Sequence, residues 1–177
     1  GSYTNTGSVL INNDFLGDGS FTNGNGSTLE LSGAGPFSIT TLDASTVANT
    51  VTYSGGSNVT VNGATYHNLT INKSANTATI SSATTVNNDL TVSAAILAVG
   101  ATTLNIGNDV IINGGEFSPG DPAAVVNVTR NVNMSTGLFD HNDGDVTVTG
   151  DITITGGTFS VNESDGNTST FNVDDLS

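Results

Sequence analysis

The chain has 177 residues, a mass of 17.8 kDa and 16 acidic against 2 basic side chains, for a net charge of −14 and a pI near 4.1. Lys73 and Arg130 are the whole basic complement, too little to neutralise a phosphate backbone or hold an anionic bilayer, so nucleic acid and direct membrane binding are excluded as partners. No apolar run approaches the roughly 20 residues of a spanning helix, and the absence of Cys removes disulfides, thiol catalysis and Cys-ligated metals.

Leu, Ile, Val and Phe make up about a quarter of the chain, above the ~20% typical of disordered sequences, so a core can form. Only 10% of residues are charged, and the abundant Val and Thr are β-branched and suited to pleated strands, so an all-β fold is expected. An acidic, Lys-poor surface rich in Thr and Asn fits a secreted or cell-surface bacterial protein.

In chain order, Gly1-Ser2 without an initiator Met reads as a cloning scar, leaving 3–177 as a single repeat domain cut from a larger protein. Apolar alternation then appears at Val9/Ile11, Leu29/Leu31, Val51/Tyr53 and Val59/Val61, separated by Gly-rich breaks such as Gly24-Asn25-Gly26. From His67 the units tighten: HNLTI, TVNNDLTV, LNIGNDVIINGGEF, VNVTRNVNMSTGLF and VTVTGDITITGGTF follow one another, and a further copy opens at Phe171-Asn172-Val173. Leu69, Leu90, Val110, Val132 and Ile152 recur at steps of 20 to 22 residues, and Phe117, Phe139 and Phe159 keep the same steps.

A short helix-free unit cannot bury its own apolar face, so about eight units of 20–22 residues are expected to stack as coils of a parallel β-helix, a β-solenoid roughly 40 Å long at ~4.8 Å per rung. Period-two alternation sends Val146, Val148, Ile152 and Ile154 inward and Thr147 and Thr153 outward, with Phe117, Phe139 and Phe159 as an internal ladder above Leu97. A β-sandwich also has many short strands, but not this recurrence of whole units.

The stretches Val51-Thr52-Tyr53-Ser54-Gly55-Gly56, Asn58-Val59-Thr60-Val61, Thr65-Tyr66-His67-Asn68-Leu69-Thr70-Ile71 and Ala83-Thr84-Thr85-Val86-Asn87-Asn88-Asp89-Leu90-Thr91-Val92 resemble repeats of very large secreted, adhesin-like surface proteins of Bacteroidetes-type bacteria. Filamentous haemagglutinin-like adhesins are a looser match. The resemblance covers about half the chain and implies an extracellular β-solenoid segment of a protein exported by a type IX route. It carries no catalytic residues.

Asn68, Asp89, Asp109, Asn131 and Asp151 occupy equivalent breaks, where Asx side chains serve sharp corners and bond from rung to rung. The loop Asp140-His141-Asn142-Asp143-Gly144-Asp145 has the acidic spacing of an oxygen-rich Ca²⁺ loop without the closing Glu of an EF-hand. Asp140, Asp143, Asp145 and Asp165 are its candidate calcium ligands, with Asp121 and Glu163 in neighbouring turns; solvated turns are the plainer reading. No other cofactor is expected.

Catalysis is not expected. Retaining glycoside hydrolysis needs two carboxylates about 5–5.5 Å apart, one with a raised pKa in a cleft, whereas these carboxylates fall in turns, there is no Trp platform, and Lys73 stands alone in Asn72-Lys73-Ser74. His67 and His141 read as ordinary surface residues. Outward threonines at 60, 70, 91, 147, 153 and 155 raise an ice-binding face, but Ile111 and Asn133 interrupt the column of Thr91 and Thr153. The expected role is therefore a stiff structural or adhesive stalk that joins the rest of a surface protein, and its exposed end rungs invite end-to-end association. Calcium-dependent binding of a glycan or surface ligand is the alternative, and the threonine face a third reading.

Overall fold

The structure, a computed structural model, describes residues 1–161, 171, 172 and 175–177. It is all-β and built from stacked parallel coils, a β-solenoid of about eight turns. No helix is long and apolar enough to cross a membrane among the described residues.

Each coil contributes a short strand to each of three faces. Face A stacks Ser8–Ile11, Thr28–Leu31 and Thr50–Tyr53, then the first halves of Asn68–Ile80, Leu90–Val99, Val110–Ser118 and Val132–His141, then Asp151–Ile154 and Asp175–Leu176. Face B stacks Val59–Val61, the second halves of the same four long strands and Thr158–Val161. Face C runs from Thr65–Tyr66 through Thr84–Val86, Thr103–Ile106, Val125–Val128 and Asp145–Val148 to Phe171–Asn172. In coils 1 and 2 faces B and C merge in a three-stranded sheet of Ser2–Asn5, Phe15–Asn23 and Phe37–Asp43.

The register explains the 20–22 residue period. Val9, Leu29, Val51, Leu69, Leu90, Val110, Val132 and Ile152 form one column on face A, buried from Leu29 onward. The N-terminal units, looser by eye, therefore belong to the same stack. On face B, Leu97, Phe117, Phe139 and Phe159 are in register, with ring centroids 5.3 Å and 5.2 Å apart along the three phenylalanines. Tilted and edge-on ring pairs at this spacing add to the burial they share. Val146, Val148 and Ile152 are buried and Ile154 partly so, while Thr147 is exposed.

The corner between faces A and B turns through left-handed backbone at Asn76, Ala95, Gly137 and Gly157, with φ of 63°, 58°, 95° and 95°. At Gly137 a Cβ would run into the Gly115 carbonyl oxygen, so this corner stacks only without a side chain.

Two expectations for single residues are corrected. His141 is not a surface residue: it is 1% exposed, because the alternation that buries Phe139 continues one step to the end of its strand. His67 is half-buried. Lys73 is not an isolated polar-loop residue either, as its side chain is 2% exposed.

Candidate functional site

The corner between faces C and A carries the Asx column. Asp109 N–H donates to Asp89 Oδ1 at 3.2 Å, Asn131 N–H to Asp109 Oδ1 at 3.1 Å and Asp151 N–H to Asn131 Oδ1 at 3.0 Å. Side-chain amides also donate to the Asp89 carboxylate: Asn108 Nδ2 to Oδ1 at 2.6 Å and Asn88 Nδ2 to Oδ2 at 3.2 Å. Arg130 Nη1 reaches Asn108 Oδ1 at 2.8 Å. Donors of this kind offset the repulsion between stacked carboxylates.

A second, buried column extends this corner through the first coils, and its regularity was not evident from spacing. Asn5 Nδ2 donates to Asn23 Oδ1 and to the Thr28 carbonyl, both at 2.8 Å, and Asn49 Nδ2 donates to the Asn23 carbonyl at 2.7 Å. All three asparagines are buried. The available signal, for two of the three, was an Asn that precedes a Gly within two residues before the triplet, in Asn5-Thr6-Gly7 and Asn23-Gly24.

The acidic corner between faces B and C holds the candidate calcium ligands. Asp143 is buried and Asp145 exposed, and Asn142 Nδ2 donates to Asp140 Oδ2 at 2.8 Å. Gly144 N–H and Asp145 N–H stack on the Pro119 and Ala124 carbonyls of the coil before, and Asp121 Oδ1 accepts from Ala123 N–H within its own turn. Asp165 and Glu163 lie outside the described residues. Among the described residues no three His, Asp or Glu side chains are grouped to hold a metal ion.

On face B, Glu116 stands opposite Leu138, two strand positions from the pairing of Asp140 with Ser160 and so on the same side of the sheet. Burial first, and the Asp140 carboxylate second, push the Glu116 carboxyl above its usual range. Sequence spacing did not bring these two carboxylates together; the parallel register does. The pair lies on a sheet face and lines none of the cavities described below.

Lys73 fastens the corner between faces A and B. Its Nζ donates to the Gly55 and Ser57 carbonyls at 2.7 Å each, Asn76 Nδ2 donates to the Gly56 carbonyl, and Thr77 N–H donates to Asn58 Oδ1 at 3.0 Å. The Ser54-Gly55-Gly56-Ser57-Asn58 loop is thus held by the coil above it. Desolvation lowers the Lys73 ammonium from its usual value, while two charge-assisted bonds to carbonyls act to keep it protonated.

Outward face A reads Leu10, Glu30, Thr52, Thr70, Thr91, Ile111, Asn133 and Thr153 in register. Only three threonines stand in succession there. A shallow hollow of about 180 Å³ beside it is lined by Ile111, Asn133, Met134, Ser135, Thr153 and Thr155.

Two larger cavities open near the N-terminal end. One, about 510 Å³, is the open mouth of the first coil, where Tyr3, Val9, Ile11, Phe15, Phe21 and Ile39 line the solenoid interior; Tyr3 stacks on Phe21 at 5.2 Å and remains 56% exposed. The other, about 480 Å³, is a cleft between coils 2 and 3, walled by residues 34–38 and 58–60 with Asn62.

No protein-family model, curated protein or solved structure matches this chain.

Proposed function

We propose that this chain is a structural and adhesive stalk segment of a larger bacterial extracellular or cell-surface protein, acting mechanically and without catalysis. The observation that carries the reading is the unbroken interior: one apolar column runs on face A from Val9 to Ile152, flanked by the Leu97–Phe159 ladder. A stack of this kind resists bending, because tilting a coil opens backbone hydrogen bonds and parts close-packed side chains together. The net charge of −14 opposes lateral association of the exposed faces.

The open mouth at the first coil supports a continuing stack, since its free edges and apolar lining are what an adjoining coil of the same kind would cover. Small-angle scattering together with single-molecule pulling along the rod axis tests the proposal. The expected result is an elongated particle of constant cross-section, roughly 40 Å long at ~4.8 Å per rung, that yields in steps of one or a few coils. A globular particle, or turnover of a polysaccharide by the isolated chain, would overturn it.

A further inference from the structure

Coils 2 and 3 are joined differently from every other described pair. Face A pairs them fully, from Thr28 with Thr50 to Leu31 with Tyr53, but face C keeps a single bridge between Ala44 and Tyr66. On face B no pairing joins Phe37–Asp43 to Val59–Val61, although the first pairs with the coil below and the second with the coil above. One rung of the ladder is missing, and the 480 Å³ cleft occupies its place.

The break is supported from inside. Tyr53 and Tyr66 are fully buried, their hydroxyls 3.4 Å apart; Asn62 N–H donates to Tyr53 Oη at 3.0 Å and Tyr66 Oη donates to the Asn62 carbonyl at 2.7 Å. Phe37 meets the Tyr53 ring edge-on at 5.9 Å. The phenols thus satisfy the Asn62 backbone while the outer parts of both strands stay apart. On the side away from the cleft, Phe15 N–H donates to the Pro36 carbonyl; since backbone groups alternate sides along a strand, the amide and carbonyl of Phe37 face the cleft. The Asn62 side-chain Nδ2, which lies at the cleft, is shielded from solvent and has no hydrogen-bond partner.

We propose that this cleft binds an extended, uncharged peptide segment of a partner protein, which pairs along the free face B edges left between Phe37–Asp43 and Val59–Val61. The facing edges offer alternating donors and acceptors that a backbone matches and a rigid sugar ring does not. Face B is paired on either side of the cleft, Phe15–Asn23 with Phe37–Asp43 below it and Val59–Val61 through Thr158–Val161 above it, so the site lies within a ladder the molecule already makes. The walls supply Pro36, Phe37 and Val59 beside Ser38, Asn58, Thr60 and Asn62, with no charged side chain. The surrounding charge of −14 selects against an acidic segment. Asn62 Nδ2 is the donor awaiting a carbonyl, and the volume lies within the range of ordinary ligand sites.

The test is an amide-resonance titration of the whole chain with the acetylated, amidated peptide Thr-Val-Thr-Val-Thr, with Glu-Val-Glu-Val-Glu and maltopentaose in parallel. The expected result is saturable shifts at residues 35–39 and 59–62 with the neutral peptide, and weaker or no binding of the other two. Asn62→Ala should weaken the peptide about three- to tenfold, the usual range for one neutral hydrogen bond, while Tm stays unchanged because its backbone bonds to the tyrosines remain. Ala34→Trp, at an exposed position on the wall, should abolish binding by filling the cleft. The proposal fails if shifts fall instead on the first-coil mouth around Tyr3 and Leu10, if maltopentaose gives the same pattern, if Asn62→Ala leaves affinity unaltered, or if millimolar peptide produces no shifts.

Discussion

Coils 4 to 8 and coils 1 and 2 solve the same stacking problem by different means. From coil 3 to coil 8 each coil is paired to the next on all three faces. Backbone ladders do the holding there, and the side chains at the Asx corner follow their register. Below the cleft the coils are also paired, on face A and in the three-stranded sheet, but buried asparagine amides at 5, 23 and 49 add bridges between them, and at the junction two phenols hold the Asn62 backbone. The first coil also leaves its interior open, and three of the five large exposed apolar side chains among the described residues, Tyr3, Leu10 and Leu16, belong to it. A solenoid therefore tolerates a missing ladder on one face when the coils are paired on another and buried side chains satisfy neighbouring backbone, here the Asn62 N–H and carbonyl.

The sharpest way to break this comparison is to remove one ring from each region. Phe139→Ala, between Phe117 and Phe159, should cost about 3–5 kcal/mol in urea unfolding, whereas Phe21→Ala, beside the open mouth, should cost about half as much because the site is not sealed. The reverse order would show that the N-terminal coils are the firmer half. Native-state hydrogen exchange then asks whether the two regions open separately: amides of residues 1–43 should exchange on the order of tenfold or more faster than those of 69–148, through a local opening at the cleft. Uniform protection would make the rod one cooperative unit.

Lys73→Met should cost about 1–3 kcal/mol, since the Gly55 and Ser57 carbonyls lose their donor. Unchanged stability would mean that desolvation of the ammonium cancels its two bonds.

Raising the pH probes the tyrosine junction. Burial pushes the Tyr53 and Tyr66 phenols above their ordinary value, so the unfolded chain releases those protons first. Their contribution is full below about pH 10 and is lost as pH climbs from there through the folded values. Lys73 acts with the opposite sign: its lowered ammonium makes the unfolded chain hold the extra proton just below 10.5, so stability gains slightly there. A Tm profile should thus fall above about pH 10, and Tyr53→Phe with Tyr66→Phe should flatten it at a lower overall Tm. The smallest effect expected is that of calcium. Exchanging EDTA for millimolar Ca²⁺ should leave Tm unmoved, because the described carboxylates of the 140–145 corner do not converge; a rise of many degrees would place a calcium ion there, with Asp165 as a further ligand.

Much of the fold was legible in the chain because a solenoid writes its geometry as a period. Leu90, Val110, Val132 and Ile152 gave the coil length, and the three phenylalanines gave the inward phase of face B. Other features were hidden for definite reasons. His141 was read as surface because the template ended at Phe139, one alternation early. Lys73 and Glu116 were unreadable locally, since their partners, the Gly55 and Ser57 carbonyls and Asp140, are 16 to 24 residues away and meet them only through the stack.

By itself the sequence determined the parallel stack, its period, its inward columns and its acidic, Asx-lined exterior, because each follows from alternation and recurrence within a single unit. Only the tertiary structure decided where the ladder fails between coils 2 and 3, which polar groups are buried there, and which carboxylates stand near one another. Those features depend on the pairing of one coil with the next, and pairing is a property of the register between units that no single unit contains.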